Sequence, residues 1–389
     1  MKNVLEWLEA TVAKYPDKPA FSDTESSITF RQVYDIARNT GAYLVEQLGV
    51  DRTPVAVFAG RKMVTPAYFL GVVYAGRPYA PIDASLPDKR IEKILENLCP
   101  GAIVADRESR EHVESIVDEL AKAEGFDRPQ IFIAEDISRF EQVACADSNC
   151  KISESAGDAV TDSENDTDGG VVAGCAGKTD DSSRDMLAVV RRQMSMTDPL
   201  YIIYTSGSTG NPKGVMTSHL SLMTYINAYC DVMHIEESDV LGNQSPLDYI
   251  AAIRDIYLPL KTGCSTAIIP KEYFMEPNAL FDYMNDKKVS SVGWSVSAFT
   301  ILTSLGAFEE VGLKSLRKIC FSGSVMPCRV LRKWQENLPE AHFVNQYGPT
   351  EATASCTYYS VDHTVEEDEV LPIGKAYDNY SCLLYTSPS

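Results

Sequence analysis

Thr205, Ser206, Ser208 and Thr209 place four hydroxyls around Gly207 and Gly210, and Lys213 follows three residues later. Hydroxyls and the backbone N–H groups of a glycine-containing loop can wrap a polyphosphate, and a lysine adds charge. The loop is not a Walker A motif, which requires Gly, four residues, Gly, then Lys followed by Ser or Thr. Here Gly214 follows Lys213 and the glycine spacing differs. The apolar run Leu200 to Tyr204 leads into the loop and reads as a buried strand; Lys213 closes the loop and Val215 begins the next ordered segment. A second stretch, Asn345 to Thr353, reads NQYGPTEAT and combines an amide, an aromatic ring, a hydroxyl and a carboxylate.

Together, YIIYTSGSTGNPKG (Tyr201–Gly214) and NQYGPTEAT resemble the adenylate-forming (AMP-binding) superfamily. The resemblance is closest to D-alanine–carrier protein ligases and the adenylation domains of nonribosomal peptide synthetases. It covers nearly the whole chain outside an acidic segment and the tail. It implies an α/β fold, the layered αβαβα large N-terminal domain with two sheet-containing lobes. It also implies ATP-dependent adenylation of a carboxylic (amino, hydroxy or aryl) acid. Transfer to a carrier-protein phosphopantetheine thiol follows, with ATP and Mg²⁺ as cofactors. Acyl-CoA ligase with CoA as acceptor, and a non-catalytic nucleotide-binding or carrier-docking protein, are the alternatives.

By the same resemblance, Thr205, Lys213, Thr350 and Glu351 carry the chemistry. Ser206, Gly207, Ser208, Thr209 and Gly210 form the phosphate loop. Tyr347 stacks on adenine, the Asn345 amide meets its exocyclic amine, and Gly323 and Ser324 form a backbone wall against it. Gly348 belongs with these. Thr350 contacts the α-phosphate, and Glu351 is the Mg²⁺ ligand; a carboxylate with water suits that hard ion.

The acyl pocket departs from the amino-acid-activating relatives. Where they carry an aromatic–Asp pair, counting back from Asp255-Ile256-Tyr257 gives Tyr249 and Ile250. Isoleucine cannot pair with a buried ammonium, and an unpaired charge there is costly. Either the substrate lacks an α-amino group, or the loop is shifted and Asp248 supplies the carboxylate. Trp294 and Ser295 occupy another pocket-lining strand end; Trp294 fills the pocket or packs the core. His219 is either a pocket residue or a surface histidine at a helix start.

The elements that position these residues alternate between strand and helix, which predicts layers built on largely parallel sheets. A first α/β lobe is expected over 1–136. Within it, Ile28 to Val33 opens a helix running through Leu48, Val55–Phe58 is a strand, and Pro87 starts a helix of structural role. A second lobe is expected over 196–380. Its strand signals are Thr266–Ile269, Ser291–Trp294, Ile319–Phe321 and Phe343–Asn345. Its helices are expected at Ser221–Cys230, Ile253–Leu260, Ala279–Lys287 and Val325–Glu336. Between the lobes, 137–195 is a linker whose residues 145–185 are polar and acidic and expected to be disordered.

The chain has 389 residues, 44% of them hydrophobic, and a net charge of −20. That charge argues against a nucleic-acid partner held by a basic surface. There is no apolar run of membrane-spanning length, so no membrane insertion is expected. Met1 to Ala13 carries Glu6 and Glu9 and reads as an amphipathic helix rather than a signal peptide, which points to the cytoplasm. Of ten cysteines, Cys99, Cys230, Cys320 and Cys356 lie among apolar residues and read as reduced core thiols. Cys145 and Cys150 have no nearby His or Cys cluster to complete a zinc site.

Ile373-Gly374-Lys375 resembles a segment near the end of the family's large domain. The family's ribose-gripping Thr-Gly-Asp stretch and its small C-terminal domain with a catalytic lysine are not present. The atypical tail, 381–389, resembles a frame running into adapter DNA. The expectation is an interrupted gene record, whose product binds nucleotide weakly and catalyses poorly.

Overall fold

The computed structural model describes residues 2–122, 125–139, 180–206 and 210–381. Gly207, Ser208 and Thr209, the acidic segment up to residue 179 with Cys145 and Cys150, and residues 382–389 lie outside them. In the first half of the chain the strands are β1 (Pro19–Ser22), β2 (Ser27–Thr29), β3 (Val55–Phe58), β4 (Tyr79–Pro81), β5 (Ala102–Ala105) and β6 (Gln130–Ile133). The hairpin strands β7 (Pro199–Ser206) and β8 (Pro212–Ser218) follow. The later strands are β9 (Val240–Asn243), β10 (Ser265–Ile268), β11 (Ser291–Ser295), β12 (Lys318–Ser322), β13 (His342–Tyr347), β14 (Thr357–Val361) and β15 (Lys375–Ala376).

They form two sheets, in the orders β15-β14-β13-β12-β11-β9-β10-β1-β2 and β6-β5-β3-β4-β7-β8. The central pairs are parallel and the antiparallel pairs lie at the edges, as strand–helix alternation requires. The sheets do not divide the chain at residues 136 and 196. β7 and β8 complete the sheet begun by β3 to β6, while β1 and β2 edge the sheet built by β9 to β15. Each sheet takes strands from both stretches, so the two pack as layers with shared elements.

Two of the differences from the sequence reading have local reasons. Ile28 lies in β2, and the helix starts at Phe30. Thr29 caps it reciprocally: its Oγ1 accepts from Gln32 N at 3.2 Å, and its N–H donates to Gln32 Oε1 at 2.9 Å. Asp180–Gln193, inside the expected linker, is a helix. Leu187 and Val190 bury one face, and Arg191 reaches Glu9 at 2.9 Å on the N-terminal helix. The i, i+3 apolar spacing gives that stretch the buried stripe which its acidic neighbourhood obscures.

The core is continuous between the layers. Tyr79 on β4 stacks on Phe69 with ring centroids 4.6 Å apart. Its hydroxyl lies 3.0 Å from that of Tyr257, on the helix Ile253–Thr262. This buried contact fixes the helix that follows Asp248, Tyr249 and Ile250 against the six-stranded sheet. A second cluster gathers Trp294 of β11 with Phe299 and Trp334 from helices packed on the nine-stranded sheet. Cys230, Cys264, Cys320 and Cys328 are buried free thiols, but Cys99 is exposed at the left-handed end of a helix and Cys356 is half-buried. Among the described residues no helix is long and apolar enough to cross a membrane.

Candidate functional site

Thr205, Ser206 and Lys213 sit at the turn end of the β7–β8 hairpin. Thr205 faces Lys213 and Ser206 faces Pro212 across the ladder. Lys213 therefore lies in a strand, one residue past the end of the loop. Thr205 Oγ1 donates to Lys213 O at 3.4 Å. The hairpin is braced from below by the helix Asp88–Leu98. Lys93 Nζ donates to Asn211 Oδ1 at 3.1 Å, and Tyr204 OH donates to Asn97 Oδ1 at 2.8 Å.

β13 delivers the second motif. Asn345 is buried and its Nδ2 donates to Pro372 O at 2.9 Å, which leaves Oδ1 as the group free to accept. Tyr347, at the strand end, is 50% exposed, unlike the buried tyrosines of the core. Gly348 is required by close approach: a Cβ there would lie 2.5 Å from Ser355 Cα and 2.8 Å from Ala354 O. The chain then makes the short 3-10 turn Thr350–Ala352, which packs against β8. Two motifs some 140 residues apart are thereby brought side by side.

A cavity of about 400 Å³ lies between them, lined by Thr205, Ser206, Thr350, Asp248 and Tyr249. Arg90 lines it too, and its Nε is buried without a partner. A second cavity of about 200 Å³ is lined by Tyr249, Ile250, Trp294, Ser295, Gly323 and Gly348. Pro246 and Tyr249 line both, so the two are adjacent. Lys213, Ser324, Tyr347 and Glu351 are exposed and line neither cavity; Gly210, also exposed, follows the part of the loop outside the described residues.

The two residues on which the acyl-pocket alternatives turn line different, adjacent cavities. Ile250 lines the inner cavity, while Asp248 lines the outer one. Burial, then the neighbouring Asp83 carboxylate, raises the Asp248 pKa. Trp294 both lines the inner cavity and packs the core: its Nε1 donates to Gly242 O at 2.8 Å and its ring meets Phe274 at 5.1 Å. Ser295 caps the helix Val296–Ser304 through its Oγ. His219 is neither a pocket nor a surface residue. It is 1% exposed, its Nδ1 accepts from Val4 N at 3.5 Å, and burial lowers its pKa to about 4.

Sequence reasoning gave no site role to four charged residues near the site. Arg254 and Asp255 are both buried in a helix whose residues Ile253 to Leu260 are all buried. Two adjacent charges inside an apolar run were the available signal. Asp255 accepts from Asn243 Nδ2 at 2.9 Å, and burial raises its pKa to about 6 against the pull of Arg254. Arg61 donates from Nη2 to Asn243 O at 2.7 Å, and burial lowers its pKa to about 10. Arg90, the fourth, sits in the helix Asp88–Leu98, which reads as structural scaffolding.

The residues fit a nucleotide in two respects. Tyr347 is half exposed at the strand end, and Arg90 and the hydroxyl residues Thr205, Ser206 and Thr350 line one cavity. Among the described residues no group of three or more His, Cys, Asp or Glu could hold a metal ion. The single carboxylate of Glu351 fits Mg²⁺ carried on a polyphosphate, because that ion keeps most of its ligands from phosphate and water.

A family model described as AMP-binding enzyme matches residues 8–385. The chain is 27% identical over 373 residues to a D-alanine--D-alanyl carrier protein ligase of Bacillus cereus (strain Q1), covering 95% of this chain and 64% of that protein. It thus spans less than two thirds of the length of the curated relatives it matches. The fold is similar to the Vibrio cholerae adenylation domain AlmE in complex with glycyl-adenosine-5'-phosphate, with a TM-score of 0.73 and 20% identity over 96% of this chain and 64% of that one. It is also similar to the AMPPNP-bound form of the nonribosomal peptide synthetase FmoA3, with a TM-score of 0.73 and 20% identity over 97% of this chain and 34% of that one.

Proposed function

The chain belongs to the AMP-binding enzyme family, and from that membership we propose that it provides the nucleotide and acid sites of an ATP-dependent acid–thiol ligase. One observation carries the reading. Thr205, Ser206 and Thr350 line one cavity, and the adjacent smaller cavity is walled by Ile250, Trp294 and Ser295. A hydroxyl-lined phosphate face beside a small acid pocket is what joining a carboxylate to the α-phosphorus of ATP needs, because that reaction is mostly positioning and charge neutralisation.

In this reading Tyr347 stacks on the adenine, and Asn345 Oδ1 accepts from its amine. Gly323, Ser324 and Gly348 supply backbone against the base. Ser206, Gly207, Ser208, Thr209 and Gly210, with Thr205 and Lys213, hold the outer phosphates. Thr350 and Arg90 face the phosphate nearest the acid. Mg²⁺ on Glu351 would neutralise phosphate charge as the pyrophosphate leaves.

The acid lacks an α-ammonium group. Ile250 is 6% exposed at the position where an ammonium would need a carboxylate, and Asp248 lies in the other cavity. The acceptor is a carrier-protein phosphopantetheine thiol, a choice supported by what the curated relatives are named for; CoA would need a site for its nucleotide end in addition. Acid-dependent exchange of labelled pyrophosphate into ATP tests the whole reading. Exchange with carboxylic acids lacking an amino group is expected. Efficient exchange with an α-amino acid by the unaltered protein would refute the ammonium argument, and AMP failing to bind would refute the reading itself.

A further inference from the structure

Arg254 is the one charged side chain among the residues lining the 200 Å³ cavity. It is 2% exposed. Its Nη2 donates to Gly293 O, and its Cζ lies 5.9 Å from the centroid of the Tyr229 ring. β11 is shaped around it. A Cβ on Gly293 would lie 2.4 Å from Arg254 Cζ, so the guanidinium occupies the space a side chain would take. Its Nε is buried with no hydrogen-bond partner, and Asp255 Oδ1 stands 3.6 Å away.

A guanidinium has five N–H donors in a planar fork, and few are used here. Asp255 does not complete the set, because its other oxygen accepts from Asn243 and the Arg61 guanidinium is held on that same asparagine. Arg61 is bonded to Asn243 and not to Asp255. Burying a cation with spare donors is costly unless an anion meets it.

We propose that the inner cavity takes a short dicarboxylic acid, whose far carboxylate pairs with Arg254 while its near carboxylate is the one adenylated. This deepens the adenylation reading and rests on it. The walls agree with the assignment. Ile250, Trp294 and Ala251 are apolar and suit a short methylene chain, and Gln244 and Ser295 add neutral polar groups. The small volume limits the chain to a few carbons. An ammonium group would meet Arg254 as a like charge.

Titration calorimetry on the full chain, with and without AMP, provides the test. The probes are malonate, succinate and glutarate, each against the monoamide and the monocarboxylate of equal length. One diacid is expected to bind at least about tenfold more tightly than both of its neutral-ended counterparts. Arg254→Met is expected to remove that margin, and Arg254→Lys to keep part of it. Equal binding of diacid and monoamide, binding of no diacid, or a margin that survives Arg254→Met overturns the proposal. If Arg254→Met does not fold, the comparison of ligands on the unaltered protein decides alone. AMP binding is read in the same experiment: AMP bound without a diacid margin overturns the Arg254 assignment alone. A margin without AMP binding supports the anion pocket and overturns the adenylation reading.

Discussion

Arg254 Nε and Asp255 Oδ1 stand 3.6 Å apart in the interior, close enough to attract and too far to share a hydrogen bond. Neighbours in sequence on one helix, they divide their remaining bonds between different strands. Arg254 turns to Gly293 on β11, and Asp255 to Asn243 on β9. The pair thus joins the acid-pocket helix to two strands of the nine-stranded sheet, and removing either charge strands the other.

Arg254→Met should destabilise the protein by about 3–5 kcal/mol at pH 7.5, the cost of leaving a buried charge unpaired. The loss should shrink as pH falls. The Asp255 pKa is already raised to about 6 from 3.8, so the folded form takes up a proton before the unfolded form does, and losing Arg254 raises it further. Urea unfolding of the variant at pH 7.5 and pH 5 checks this; an equal loss at both would show that Asp255 does not carry the effect.

His219 should impose an opposite pH dependence. Its folded pKa of about 4 lies below the usual 6.5, so the unfolded chain binds the proton more readily. The stability it contributes is present above pH 6.5 and is lost as pH falls toward 4, to the extent of about 3 kcal/mol. Because Asp255 pushes the other way, the effect is read as a difference. The gap in unfolding midpoint between pH 7 and pH 4.5 should narrow in His219→Gln.

Tyr347→Ala should weaken AMP binding about tenfold or more, since stacking of a base on an aromatic ring contributes about 1–3 kcal/mol. The half-exposed ring adds little to the core, so the thermal midpoint should stay within a degree or two. A titration of AMP monitored by tyrosine fluorescence or calorimetry, run beside a melting curve, separates the two effects.

Gly348→Ala should fail in both respects. The new Cβ would press on backbone atoms of Ala354 and Ser355, which cannot swing aside as a side-chain end could. A loss of about 1–3 kcal/mol in stability is expected, together with weaker nucleotide binding. Unchanged stability would mean that residues 354–355 yield more easily than their packing implies.

Ile250→Asp should bring α-amino acids into the site. The new carboxylate would pair with their ammonium group, at some cost in stability because position 250 is buried. Pyrophosphate exchange with an amino acid panel should rise from background in the variant.

The amino-acid sequence by itself determined what depends on neighbours along the chain. The Leu200–Tyr204 run made a strand, the Thr29–Gln32 spacing capped a helix, and the hydroxyl loop with NQYGPTEAT carried the family resemblance. Only the tertiary structure decided what depends on distant partners. The sequence divided the chain at 136 and 196, but β7 and β8 found their sheet partners in the earlier stretch and β1 in the later one, because exposed strand edges pair wherever packing brings them. His219, at a helix start, looks like a surface residue until Val4, 215 positions away, is seen to donate to it in the interior. Arg254 looks like a charge on an amphipathic helix until Gly293 leaves room for it in the interior. Burial and electrostatic environment are properties of the assembled core, and no local spacing encodes them.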